Sequence, residues 1–204
     1  EKPCALYRKD NGEENVFDKY ITVQEDGRFM INFNGKTYGP YLQVYEFQTN
    51  KDNSKFAATV SNANRKKQVV LSIGKTIDLN GLPSSMHLSP DGTIAIVKTG
   101  FDYDVENFDP STINMETASK INIVTTDGLK FGPFDSEKFR DSDVWFCNTT
   151  SNHWIIELDG KYLLDGKTAL NIPSGNYNCD IWITPDGKRY AYSNCWSPRD
   201  PTRK

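Results

Sequence analysis

The stretch that decides the fold is Cys179–Asn194, which reads CDIWITPDGKRYAYSN. Residues Ile181 to Ile183 are β-branched or aromatic, and such residues favour a half-buried strand over a helix. Pro185-Asp186-Gly187 follows, a combination that is typical of a tight turn in which Gly adopts a positive φ. Arg189 to Ser193 then supplies a return strand. The stretch therefore predicts a β-hairpin.

The same layout recurs upstream. Met86–Lys98, MHLSPDGTIAIVK, turns at Pro90-Asp91-Gly92. Two looser copies, Glu46–Val60 and Val144–Leu158, lack this Gly, and the first of them turns at Asp52-Asn53. Asn tolerates the left-handed conformation that Gly adopts at such a position. The chain therefore contains a repeated hairpin.

A second hairpin type alternates with the first. Its members share a strand, a Gly-containing turn and a second strand, and they are Phe29–Tyr41, Val69–Leu79, Ile121–Phe134 and Lys161–Ile172. Their turn glycines recur at intervals of about 40 to 55 residues, which is typical of a repeat architecture. A Gly-Pro pair also recurs, at Gly39-Pro40 and Gly132-Pro133.

Units that alternate a strand, an Asp-Gly-Lys turn, a strand, a loop, a strand, a Pro-Asp-Gly-Lys turn and a strand resemble the TolB-like β-propeller repeat, a relative of WD-type blades. The resemblance covers roughly Phe29 to Asn194. It implies an all-β fold, a small β-propeller of four or five four-stranded antiparallel blades in one domain over residues 1–204. It implies no particular function, because propellers serve as adaptors, binding proteins and enzymes.

Four units of four strands are expected, at residues 28–60, 68–98, 121–158 and 161–194. Residues 1–24, together with the tail from Cys195 to Pro198, would complete a fifth blade from both ends of the chain. Closing a ring in this way removes sheet edges that would otherwise be exposed. The four tryptophans all lie in the C-terminal third, and we expect them to fill the space between blades.

Composition excludes several classes of function. The chain has 24 basic and 27 acidic residues and a net charge of -3, which leaves no electrostatic footprint for nucleic acid. No apolar run approaches the ~18 residues that a transmembrane helix needs. Because no phosphate loop, nucleophile motif or metal-ligand set is recognisable, we expect no cofactor and no catalytic activity.

The cysteines bear on compartment and cross-linking. There are four: Cys4, Cys147, Cys179 and Cys195. None forms a CxxC pair or lies at ligand spacing from a histidine, which disfavours zinc. An even cysteine count in a chain that begins without Met favours an extracytoplasmic location, periplasmic or secreted. Cys179 and Cys195 flank the last hairpin at nearly opposite positions and are the disulfide candidates; buried free thiols are the alternative.

Strand order predicts where a ligand binds. Connections in an antiparallel meander alternate between the two ends of a sheet, so all the tight turns are expected on one face and the long connections on the other. The longest connection, Gly100 to Lys120, exceeds the usual length for a compact domain. Exposed aromatic and arginine groups anchor many interfaces. The predicted binding residues on the long-loop face are Tyr103, Phe108, Phe134, Arg140, Tyr177 and Asn178.

The long connection also carries alternating carboxylates: Asp102, Asp104, Glu106 and Asp109. They match calcium ligands in chemistry only, because the EF-hand spacing and its Gly are absent, and a solvated acidic loop is the favoured interpretation. Glycoside cleavage would need two carboxyls facing each other across a sugar. No GxSxG motif is present, and His87, within a predicted strand, and His153, beside a tight turn, are interpreted as structural.

We therefore predict a non-catalytic extracytoplasmic β-propeller that recognises a protein, peptide or glycan through its long-loop face. One alternative is a glycan-acting enzyme of the same fold that uses carboxylates of the 100–120 loop. A second is a structural fragment of a larger assembly.

Overall fold

A computed structural model describes residues 19–100, 120–135, 144–147, 151–158, 161–172 and 181–193. These residues form seventeen β-strands, and only Lys19 and Tyr20, where the described chain begins, have helical backbone. The all-β prediction is therefore confirmed. Cα proximity divides the chain into two compact units, residues 1–88 with 92–138, and residues 139–204 with 89–91.

The first unit contains three antiparallel sheets, each with its strands in sequence order. Sheet A has three strands: β1 Ile21–Val23, β2 Phe29–Phe33 and β3 Lys36–Tyr41. Sheet B has four: β4 Gln43–Thr49, β5 Phe56–Ser61, β6 Lys67–Leu71 and β7 Lys75–Asp78. Sheet C also has four: β8 Leu82–Leu88, β9 Ala95–Gly100, β10 Lys120–Thr125 and β11 Lys130–Asp135.

The second unit contains two antiparallel sheets. Sheet D has four strands: β12 Val144–Phe146, β13 Trp154–Leu158, β14 Lys161–Leu164 and β15 Thr168–Ala169. Sheet E, in the described residues, pairs β16 Ile181–Ile183 with β17 Tyr190–Tyr192. This second pair is the hairpin that the sequence predicts most clearly.

The strands group differently from the predicted repeat units. The unit expected at 28–60 is divided between two sheets, because β3 ends sheet A and β4 begins sheet B one residue later. That residue, Leu42, donates its backbone N–H to Ser61 of β5. Likewise, the unit expected at 121–158 is divided between sheets C and D. Turn residues identify hairpins. They do not show which hairpins pair along their edge strands, and this pairing decides which strands form one sheet.

The middle strands of sheet B are buried on both faces. All six residues of β5 are buried, and alternate side chains enter different cores. Phe56, Ala58 and Val60 pack with residues of sheet A, including Ile31 and Phe33. Ala57 lies in the second core, which also contains Met86 and Val97 of sheet C. Because successive side chains of a strand point to opposite faces, sheet B lies between A and C.

Aromatic rings fill the first of these cores. Phe56 contacts the Phe33 ring edge-on at 5.0 Å between centroids and the Tyr38 ring at 4.9 Å, and it stacks on Phe47 at 5.2 Å. Ring pairs at such separations contribute roughly 0.5–1.5 kcal/mol each beyond their buried area. The sequence indicates aromatic packing between sheets, and this core shows it.

In the second unit, sheets D and E pack around Ile155, Tyr162, Leu164, Ile181 and Ile183. Trp154 is only 1% exposed, as the sequence predicts for a tryptophan between sheets. The same prediction is wrong for Trp182, which is 51% exposed. Its neighbours Ile181 and Ile183 occupy the inner face of β16, so alternation directs Trp182 to the outer face.

An aspartate side chain accepts hydrogen bonds within several of the tight turns. In three turns its Oδ1 accepts the backbone N–H two residues later: Asp26 from Arg28 at 3.1 Å, Asp52 from Ser54 at 3.0 Å and Asp186 from Lys188 at 3.1 Å. In three turns it accepts a Ser or Thr hydroxyl two residues earlier: Asp91 from Ser89, Asp127 from Thr125 and Asp186 from Thr184. Hydrogen bonds from Ser54 lower the pKa of Asp52, because they favour the charged carboxylate. Asn53 adopts φ 55°, the left-handed conformation that the sequence predicts at that turn.

Thr59 of β5 provides a test of the two-sided burial. Its hydroxyl is fully buried and has no hydrogen-bond partner among the described residues. Thr59→Val exchanges this hydroxyl for a methyl group of similar size, and we expect it to raise the free energy of unfolding by about 1 kcal/mol. Urea denaturation followed by far-UV circular dichroism measures the change.

Thr49→Val is the matched control, because the Thr49 hydroxyl donates to Asn53 Oδ1 at 2.6 Å and its loss should lower stability. A Thr59→Val variant that unfolds at lower urea than the wild type would show that the hydroxyl has a partner.

Candidate functional site

Each four-stranded meander has two ends. We call the end where the first strand of such a sheet begins the loop end, and the opposite one the turn end. In sheet B the turn end carries the 50–55 and 72–74 turns, and in sheet C it carries the 89–94 and 126–129 turns, as the sequence predicts. Sheet B has a further tight turn at its loop end, which was not predicted from the sequence: Asn62 Oδ1 accepts the Asn64 and Lys66 N–H groups at 2.9 and 3.1 Å. The connection of residues 101–119 leaves and re-enters sheet C at its loop end, at Gly100 and Lys120.

Close backbone packing fixes the loop end of sheet C. Gly81 has φ 149°, and a Cβ atom there would lie 2.2 Å from the Gly100 carbonyl oxygen. No side chain fits this space, so glycine lets the chain enter β8 directly beside the end of β9. On the other side of the sheet, Lys120 Nζ forms an ion pair with Asp135. These contacts hold the two strand ends between which residues 101–119 lie in sequence.

Among the predicted binding residues, Phe134 is described. It lies in β11, one residue from its loop end, where it is half-buried and pairs with Ile121 of β10. Eleven other predicted residues lie outside the described part of the chain: Tyr103, Phe108, Arg140, Tyr177, Asn178, Asp102, Asp104, Glu106, Asp109, Cys179 and Cys195. The predictions made for them therefore stay predictions.

Gln48 joins the first strands of sheets B and C, a role that the sequence does not reveal. Its Nε2 donates to the Met86 carbonyl at 2.6 Å, and its Oε1 accepts the Leu88 N–H at 3.1 Å. The same Nε2 also lies 2.7 Å from Glu46 Oε1. The side-chain amide thus satisfies two backbone groups on the edge of β8 as a neighbouring strand would. A glutamine within a polar-apolar strand gives no sign of this role.

Replacing Gln48 tests this edge contact. Gln48→Ala leaves a backbone donor and a backbone acceptor of β8 without their partners, and we expect a loss of about 1–3 kcal/mol in the free energy of unfolding. Gln48→Glu keeps the acceptor for Leu88 but removes the donor to Met86 and places a charge beside Glu46. In chemical denaturation, both variants should have a lower free energy of unfolding than the wild type. A Gln48→Ala protein as stable as the wild type would contradict the bridging role.

The most polar cluster of the second unit surrounds His153, at the turn end of sheet D. His153 Nδ1 lies 2.7 Å from Asp165 Oδ2, and Asp165 Oδ1 accepts the Trp154 N–H at 3.1 Å. Asp165 has φ 51° in the turn between β14 and β15, and this conformation aims its carboxylate back at β13. Both carboxylate oxygens therefore have donors.

The opposite edge of the imidazole lies against the β16–β17 turn. A Cβ atom on Gly187 would approach His153 Cε1 and Nε2 to 2.7 Å, so the ring occupies the space that a side chain at this position would need. Gly187 has φ 70°, as the sequence predicts for the Asp-Gly turn. The glycine therefore serves two purposes: it allows the turn, and it admits the histidine.

The His153–Asp165 pair has the orienting half of a nucleophilic triad but no nucleophile in the described residues. The nearest hydroxyl in sequence, Ser151 Oγ, accepts the His153 backbone N–H at 3.1 Å. A triad instead needs a hydroxyl hydrogen-bonded to the free ring nitrogen. The described residues also contain no group of three or more His, Cys, Asp or Glu side chains that is arranged to hold a metal ion. The interpretation of His153 as structural fits this geometry.

Cys147 lies close to this cluster. It is a buried free cysteine whose backbone N–H donates to the His153 carbonyl at 3.0 Å. Burial, together with the negative charge of Asp165, raises the pKa of its thiol to about 12. Because thiolates and not thiols react, Cys147 is chemically inert in the folded protein.

This inertness is measurable. At pH 8 only a very small fraction of a thiol with a pKa of about 12 is ionised, so iodoacetamide should leave Cys147 unmodified in the folded protein and label it in urea. Peptide mass spectrometry distinguishes Cys147 from Cys4, Cys179 and Cys195, and the labelling of Cys147 in urea is the reference. Raising the pH towards 10 should bring only slow labelling, and complete labelling at pH 8 without urea would contradict the buried environment.

Comparison with known proteins gives no relative: no protein-family model and no curated protein sequence matches the chain. Within the described residues, no helix has the length and apolar character needed to cross a membrane.

Proposed function

We propose that this chain is a β-propeller-type binding protein of an extracytoplasmic compartment, without catalytic activity, that recognises a protein, peptide or glycan at the loop ends of its sheets. The observation that carries the proposal is the difference in length between the connections at the two ends of sheet C. Its turn end carries the short 89–94 and 126–129 turns, and its loop end carries the connection of residues 101–119.

The arrangement of sheets A, B and C supports a propeller. Propeller blades are consecutive four-stranded meanders that pack against each other face to face. The first strands of B and C are held together by Gln48, as inner strands near a common axis would be. The expected blade number, four or five, stays a prediction; three four-stranded sheets, the three-stranded sheet A and the two-stranded pair of sheet E support it.

The incomplete sheets carry complementary hairpins. Hairpin β2–β3 of sheet A ends in a cis Gly39-Pro40 pair, and β10–β11, the last two strands of sheet C, contains cis Gly132-Pro133. Hairpin β16–β17 of sheet E instead has the Pro-Asp-Gly turn of β8–β9, the first two strands of sheet C. The chain thus ends on the kind of hairpin that begins a blade, and starts near the kind that completes one.

Binding at the loop end is favoured by the chemistry of the turn end. There, Asp and Asn side chains accept the N–H groups of their own turns, for instance Asp186 from Lys188 and Asn50 from Lys55. A group that is already hydrogen-bonded within its turn offers little to a ligand. At the loop end, Phe134 presents a half-buried aromatic ring beside the longest connection of the chain. Aromatic side chains supply much of the binding energy of protein interfaces.

The proposal is tested by a binding screen followed by two matched variants. A panel of immobilised glycans and peptides identifies a ligand, and surface plasmon resonance measures its affinity for the wild type. Phe134→Ala should weaken binding by about tenfold or more, since loss of a buried aromatic anchor costs roughly 2 kcal/mol. Ile73→Ala is the control, because Ile73 is 47% exposed but lies at the turn end of sheet B.

Both variants must melt within a few degrees of the wild type for the comparison to hold. Unchanged affinity of Phe134→Ala together with a loss in Ile73→Ala would move the binding surface to the turn end. Turnover of any glycan in the panel would replace the binding proposal with an enzymatic one.

A further inference from the structure

Three Asn-Gly pairs occur in the sequence, and the structure describes two of them, Asn34-Gly35 and Asn80-Gly81. An asparagine before glycine is prone to spontaneous deamidation, because glycine has no side chain to keep its own backbone nitrogen away from the asparagine amide. Both asparagines are exposed. A difference in reactivity between the two pairs must therefore come from how the backbone of each glycine is packed.

Asn34 and Gly35 form the two-residue turn between β2 and β3 of sheet A. Their φ angles are 48° and 75°, as in the left-handed turns that Asn-Gly pairs favour in hairpins. A Cβ atom on Gly35 would have nothing within 4 Å, so open space surrounds this glycine. Asn34 Nδ2 donates to the carbonyl oxygens of Ser54 at 3.3 Å and Asn53 at 3.5 Å, both of which are long for such bonds. Few contacts therefore restrict rotation of the backbone at this turn.

Gly81 is packed in the opposite way. It is buried directly before β8, and a Cβ atom there would lie 2.2 Å from the Gly100 carbonyl oxygen. Deamidation needs the backbone between asparagine and glycine to rotate until the glycine nitrogen reaches the side-chain carbonyl carbon. Because the Gly81 backbone packs against the end of β9, this rotation would require β8 and β9 to separate. The fold therefore protects Asn80 although its side chain is exposed.

We propose that Asn34 is the site at which the folded protein deamidates, and that the product loosens the β2–β3 turn of sheet A from the β4–β5 turn of sheet B. The Gly35 backbone nitrogen attacks Cγ of Asn34, and the new N–Cγ bond closes a succinimide ring. The Cγ–Nδ2 bond breaks, and Nδ2 leaves as ammonia with the proton of the Gly35 N–H. Water then opens the ring to aspartate or isoaspartate at position 34. The reaction involves no ligand and is independent of the proposed function.

The product changes the chemistry of the contact between the two turns. In asparagine, Nδ2 is the donor to the carbonyl oxygens of Asn53 and Ser54. An aspartate carboxylate has no donor, so it would place a negative charge against two acceptors. Isoaspartate also adds a carbon atom to the main chain of a two-residue turn. The pairing of Phe33 with Lys36 on either side depends on the length of that turn.

The site is tested by incubating the folded protein at pH 9 and 37 °C and following its tryptic peptides by mass spectrometry. We expect Asn34 to deamidate at least about tenfold faster than Asn80, because an exposed turn opens at a lower free energy than backbone packed against a neighbouring strand. In urea the two rates should become similar. Asn32, in the same tryptic peptide as Asn34, is the matched control: it is exposed but precedes Phe33, whose side chain hinders the attack, so it should stay intact.

Asn34→Asp supplies the aspartate product directly. In urea denaturation followed by circular dichroism, we expect it to raise the unfolding equilibrium constant by roughly two- to tenfold, since hydrogen-bond donors are lost. Asn80→Asp adds the same charge at an exposed Asn-Gly pair whose side chain makes no hydrogen bond to a described residue, and it should leave this constant nearly unchanged.

Equal rates at Asn34 and Asn80 in the folded protein, or a faster reaction at Asn80, would overturn the assignment of the site. An Asn34→Asp variant as stable as the wild type would overturn the effect on the contact between the turns.

Discussion

The packing of the first unit depends on the burial of sheet B on both faces. A strand whose six residues are all buried, as in β5, has no face left for solvent and needs a sheet on either side. Alternate side chains then divide the apolar surface of one strand between two cores, one with sheet A and one with sheet C. This constraint converts a series of separate hairpins into a row of packed sheets.

Backbone polar groups outside the strand ladders find hydrogen-bond partners in two different ways. In several tight turns, an aspartate accepts a backbone N–H of its own turn, so that this N–H is satisfied locally. At the edge of β8, by contrast, the backbone is satisfied by the side chain of Gln48 from another sheet. The first arrangement makes the turns interchangeable copies. The second joins particular sheets to each other, since the Gln48 side chain of sheet B bonds to two backbone groups of sheet C.

The environment of His153 shows how one side chain is held by two loops that are distant in sequence. Its ring is held on one edge by Asp165, and the other edge fills the space above Gly187. Neither contact is visible in the sequence, where the histidine is an isolated residue between a turn and a strand. Asp165 is 12 residues away and Gly187 belongs to another hairpin, so only the folded chain brings them together. Asp165 thus orients the imidazole on one edge, and the Gly187 turn of sheet E packs against the other.

The sequence by itself determined the hairpins of this protein, since Asp-Gly and Asp-Asn pairs specify turns through local backbone preferences, and β-branched and aromatic runs specify the strands on either side. It also placed the predicted tight turns of sheets B and C at one end of each sheet, because strand alternation follows from the order of the hairpins alone, but it did not predict the 62–65 turn at the opposite end of sheet B. The tertiary structure decided which hairpins pair into a sheet. It also decided that the Trp182 side chain is exposed and that the Thr59 side chain is buried. Sheet membership depends on edge hydrogen bonds and on the burial of alternate side chains against partners distant in sequence. Those interactions leave no local pattern, so the division between sheets A and B at Leu42 appears only once the chain is folded.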